Sequence, residues 1–152
     1  MTSPRIRARR IALLVLGVLL FLAVSGALAR FLSVENSERD DIVALLAAQA
    51  AGDTRGMLAQ LDGCATSAAC AAGARANAAK LRRPGSVKIL TLKSATAYSL
   101  TGASGTTRVA WTVIGRLPVV QCVLVKRTGN ALTGVSVALL SVSAPIPGEA
   151  DC

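Results

Sequence analysis

Residues 11–29 (IALLVLGVLLFLAVSGALA) form an uncharged apolar run, and no other segment constrains the fold as strongly. In an α-helix these 19 residues rise about 28 Å, close to the hydrocarbon thickness of a bilayer. Arg5, Arg7, Arg9 and Arg10 precede the run, whereas Glu35, Glu38, Asp40 and Asp41 follow it. Cations gathered on the amino side predict an N-terminus held in the cytoplasm. The chain therefore reads as a basic cytoplasmic tail (1–10), a transmembrane signal anchor (11–32) and an exported domain (33–152). Ala27-Leu28-Ala29 also has the A-x-A form of a signal-peptide cleavage site. The length of the run, and Phe31-Leu32 continuing it past Arg30, favour an uncleaved anchor. Both readings export the domain and make the bilayer its first partner.

What remains is one domain of about 120 residues, enough for a single core. Both Phe (Phe21, Phe31) lie in or beside the leader, so Val, Leu, Ile and Ala must build that core around Trp111. The four cysteines, Cys64, Cys70, Cys122 and Cys152, all lie beyond the leader, which favours disulfides in an oxidising compartment. Free thiols are the second reading. Metal binding is disfavoured, because the chain has no His and no CxxC pair. Of the three possible pairings, Cys64 with Cys70 is favoured, since the intervening ATSAA can turn. Cys122 with Cys152 then ties the tail to a strand.

The formal charge of +9 is unevenly spread: ten Lys and Arg, and no Asp or Glu, lie between Gly63 and Gly148. One reading is an electropositive surface facing anionic lipid or envelope polymer. The other is a solubilising face, which exposed Lys and Arg supply without a special partner. Lys80, Arg82, Arg83 and Lys88 form the densest run and are the candidate anionic-surface contact, although cations also suit a helix C-terminus. Nucleic acid is disfavoured as a partner by the compartment and by the lack of aromatics for base stacking, so none is expected.

Along the exported domain, residues 36–40 (NSERD) read as a helix start, with a capping side chain and acids in the first turn. Ile42, Leu45, Leu46 and Ala50 follow at helical spacing, and Gly52 supplies a stop. Asp53 is placed to cap a short helix carrying Met57, Leu58 and Leu61. Alanine-rich residues 66–83 predict a third helix ended by Pro84-Gly85. Residues 87–100 are rich in β-branched side chains, and 102–105 (GASG) read as a turn. Residues 107–114 alternate, with Val109, Trp111 and Val113 on one face. Residues 119–126 are apolar on both faces, which predicts a central strand; Gly129-Asn130 read as a turn, and 133–143 as the last strand. Helices ahead of an antiparallel meander give an α+β fold: two or three helices packed on a curved four-stranded sheet.

The segment ALLAAQAAGDTRGMLAQL (44–61), followed by the strands VKILTLKS, TRVAWTVI, VVQCVLVKR and GVSVALLSV, resembles the cone-shaped fold of the nuclear transport factor family over residues 36–143. A membrane helix ahead of such a domain looks like actinobacterial Mce-associated membrane proteins. Enzymes with this fold place Asp, His or Tyr inside the cone. This chain has no His, no carboxylate in its strands, and Tyr98 as its only phenol. No serine lies in a G-x-S-x-G motif, and no phosphate loop, metal cluster or nucleotide fingerprint calls for a cofactor.

The expectation is thus a non-enzymatic, membrane-anchored protein acting as a structural or accessory component of an envelope assembly, with other envelope proteins as partners. The alternative is an exported carrier or sensor that holds an apolar small molecule or lipid in the cone. Its pocket candidates are Trp111 and Tyr98, and for Trp111 plain core packing competes with that role.

Overall fold

The computed structural model describes residues 4–94, 101–130 and 134–152. The chain divides into two units, Met1–Ser33 and Val34–Cys152. The described residues of the first are helical. They include the stretch Ile11–Ala29, whose mean hydropathy is 2.8 and none of which is buried against protein. This is the one segment among the described residues long and apolar enough to cross a membrane.

The second unit is α+β, as the sequence predicts. Helix α1 is assigned over Pro4–Ala51 and its C-terminal part belongs to this unit; α2 (Thr54–Gln60) and α3 (Ala68–Lys80) follow. Four strands come next: β1 (Val87–Lys93), β2 (Thr101–Val113), β3 (Val119–Asn130) and β4 (Gly134–Val142). They form one open antiparallel sheet in the order β1-β2-β3-β4, which makes β3 an inner strand.

The helix start expected at residues 36–40 is not there, because α1 runs straight through them. A capping set has work only where amides are orphaned, and a helix already in progress orphans none. The stop at Gly52 holds. Its φ of 76° and the bonds Gly52 N to Gln49 O (3.0 Å) and Asp53 N to Ala48 O (2.9 Å) make a Schellman ending. Asp53 then caps α2, accepting from Gly56 N at 3.0 Å.

The third helix is shorter than 66–83. A 3₁₀ turn at Cys64–Thr66 precedes it, and Ser67 caps α3 through Cys70 N. Neither expected glycine turn is a turn. Residues 102–105 lie within β2, with an irregular register between Thr101 and Ala103, and Gly129-Asn130 pair in β3 with Val135 and Gly134. Small residues here loosen the ladder without ending it.

The core lies between the helices and one sheet face. Ile42, Leu45, Leu46 and Ala50 of α1, Met57 of α2 and Ala74 and Ala78 of α3 meet Val109, Trp111, Val113, Val119, Val123, Val125 and Leu139. Burying each of the larger side chains contributes about 1.5–3 kcal/mol. The outer edge of β4 is partly covered, through a parallel bridge from Leu61 to Leu139 and the bond Asp62 N to Leu139 O at 2.7 Å.

Candidate functional site

Two polar clusters interrupt the apolar interior. Glu38 projects from α1, and its carboxylate accepts from Thr107 Oγ1 at 2.6 Å and from Arg127 Nη2 and Nε at 2.6 and 3.1 Å. Glu38 and Arg127 are both buried. Burial alone pushes the Glu38 pKa up. Hydrogen bonds from Thr107, Arg127 and Ser94, together with the Arg127 charge, outweigh it and hold the carboxyl below its ordinary value. Asp41 lies further along α1, not in a first turn. Its pKa is raised by burial and then by the neighbouring Asp40 charge.

The second cluster centres on Gln121 of β3. Its side-chain oxygen accepts from Trp111 Nε1 and from Gln49 Nε2, both at 2.9 Å. Its own nitrogen donates to Gln49 Oε1 at 3.3 Å and to Ser143 O at 2.8 Å. Asn77 of α3 donates to the same Ser143 carbonyl at 2.9 Å. Among the described residues, no buried side-chain nitrogen or oxygen lacks a partner. These polar groups bind α1 to β2 and β3, and α3 to the segment that follows β4.

The candidate pocket residue Trp111 is fully buried and lies in the core cluster, so its position is that of a packing residue. Tyr98 lies outside the described residues. All four cysteines are paired as expected, Cys64 with Cys70 and Cys122 with Cys152. The second bridge fixes a C-terminal strap on the sheet face opposite the helices. Ile146 pairs with Val120, and the Arg108 guanidinium donates to the carbonyls of Ala150 (2.9 Å) and Gly148. Val120 and Ala110, which share strand parity with Cys122 and Arg108, are buried on that face.

The basic run is not one free surface. Lys80 ends α3 and Lys88 lies on β1, both exposed, and the stem of Arg82 packs over Gly52. Arg83 is committed: its amide donates to Ala50 O at 2.8 Å, Nη1 donates to Leu117 O at 2.6 Å, and its guanidinium lies 5.9 Å from the Trp111 ring centroid.

Leu117 belongs to the β2–β3 tip, the most exposed apolar feature among the described residues of this unit. Arg116 N donates to Val113 O at 2.9 Å, and Gly115 takes the φ of 77° that a type II turn demands. Thr112 Oγ1 donates to Arg116 O at 2.8 Å. Ile114 and Leu117 are left 75% and 82% exposed.

Sequence reasoning missed the buried polar set. The signal was spacing: Glu38, Ile42, Leu45 and Gln49 recur at i, i+4, i+7 and i+11, the stripe that α1 buries. Gln121 and Arg127 share strand parity with Val119, Val123 and Val125. Comparison with protein-family models, curated proteins and solved structures finds no match to this chain.

Proposed function

We propose that this chain is a single-pass membrane protein whose disulfide-bonded α+β domain is extracytoplasmic, and that it acts without catalysis as a structural or accessory component of an envelope assembly. The observation that carries this reading is the stretch Ile11–Ala29, wholly unburied, joined to a domain with two disulfides. A helix that apolar is stable unburied in lipid and not in water. Disulfides form and persist on the oxidising side of that membrane. The arginines ahead of the apolar stretch orient the N-terminus inward.

The non-catalytic part rests on how the interior polar groups are used. Glu38, Arg127, Gln49 and Gln121 are engaged in bonds that hold helix to sheet. The filled space around Trp111 favours this role over a carrier. The order of helix, Gly-Asp turn, short helix and meander is read as a distant likeness to the nuclear transport factor fold and to Mce-associated proteins.

The test combines topology with assembly. In intact cells, a membrane-impermeant reductant and maleimide should label the cysteines, and intact mass should show both bridges before reduction. Amine-reactive crosslinking should recover the chain in complexes with other proteins. Cysteines reduced in the cell and closed to the outside reagent would refute the topology. Recovery of monomer alone would refute the assembly role.

A further inference from the structure

We infer that the β2–β3 tip is a protein-docking surface, fitted to an apolar pocket rimmed by carboxylates on another envelope protein. Among the described residues, the large apolar side chains exposed outside Ile11–Ala29 are Leu90, Ile114 and Leu117. Leu90 lies at the irregular step of β1 opposite Trp111 and Ala110, so all three lie toward one end of the sheet. The tip is pinned by the bonds from Arg116 N, Thr112 Oγ1 and Arg83 Nη1. A rigid apolar tip loses little ordering entropy on docking.

The charges around the tip choose the partner. Arg116 belongs to it, Arg83 bonds its backbone, and Lys88 pairs with Thr112 at its base. No Asp or Glu occurs between Gly63 and Gly148 to balance them. Asp53, beyond the end of α1, caps α2. An acidic rim complements this cationic collar, whereas a second copy brings like charges together.

Within this unit, the tip lies far from where the domain begins. Glu38 of α1 meets Thr107 and Arg127, Gln49 meets Gln121, and the Ala50 carbonyl meets Arg83. From residue 38 to 51 the helix advances about 20 Å toward the tip. The tip and residue 34, where the domain begins, therefore lie at opposite ends of this unit.

The inference rests on the accessory role in one respect: the partner is sought among extracytoplasmic proteins. A photoreactive benzophenone amino acid is placed at Leu117 of the full chain in intact cells, at Ile114 as a second tip position, and at the exposed Ser136, at the opposite end of the sheet, as control. The expected result is a crosslink from both tip positions, and not from Ser136, to a different protein at a segment rich in Asp and Glu. Arg116→Glu should lower its yield about tenfold while leaving Trp111 fluorescence and both bridges unchanged. No adduct from the tip, an adduct to lipid or to a second copy, or a yield unmoved by Arg116→Glu overturns the inference. If amine crosslinking still recovers complexes in that event, the accessory role stands and only the tip assignment fails.

Discussion

Arg127 Nη2 lies 2.6 Å from Glu38 Oε2, an ion pair closed off from solvent that joins β3 to α1 across 89 residues. Removing one partner strands the other as a buried charge, which costs about 3–5 kcal/mol. Glu38→Ala and Arg127→Ala should each destabilise by that amount. Replacing both residues together with Leu and Met should recover most of the loss. Thermal or urea unfolding of the two single variants and the double variant checks this; additive losses in the double would show that the two side chains are not coupled.

The same pair sets an acid limit. Because the folded Glu38 pKa is depressed, its contribution is complete above the ordinary glutamate value of about 4.3 and is lost as pH falls toward the folded value. Asp41 works in the opposite sense: its raised folded pKa means that protonation on acidification relieves a cost. Unfolding measured from pH 7 to pH 3 should show stability falling below about pH 5. The fall should be shallower in Glu38→Gln and steeper in Asp41→Asn. An unchanged slope in Glu38→Gln would assign acid sensitivity to other carboxylates.

Gln121→Leu should be costly for a chemical reason, since leucine fills the volume but offers no acceptor. Trp111 Nε1 and the Gln49 amide lose their partner, at about 1–3 kcal/mol for each buried group left unpaired. Trp111 is the only tryptophan, so its emission should report the change directly. Stability and emission both matching the parent would mean that the Gln121 bonds carry no weight.

The bridges should differ in worth. Chain-entropy scaling assigns about 3.6 kcal/mol to Cys122–Cys152 and about 2.2 kcal/mol to Cys64–Cys70, whose partners are 30 and 6 residues apart. Paired Cys→Ser variants compared by denaturant midpoint test the order. The reverse order would show that native contacts of the Cys64–Cys70 segment outweigh loop entropy.

The legible parts of the fold were those where one local pattern had one meaning. Alternation around Trp111 marked β2, Gly52 and Asp53 marked the α1–α2 junction, and the cysteine spacing marked both bridges. Residues 36–40 misled because a capping set looks the same whether or not a helix is already running through it. Residues 102–105 and 129–130 misled because glycine is common to turns and to loosened strands, and register decides between them. Glu38, Gln121 and Arg127 look like surface residues by type. Their burial follows only from the stripe and the parity that they share with apolar neighbours, and the bonds that α1 makes to Thr107, Gln121 and Arg127 span 69 to 89 residues.

The shared acceptor on Gln121 ties three positions into one heritable unit. Residue 121 serves an indole and an amide with one oxygen, so a drift to an apolar residue at 121 alone strands the Trp111 and Gln49 donors in the core. Lineages of this domain should therefore keep or exchange those three letters together, and that concerted change is a signature by which distant kin can be recognised when no linear motif survives.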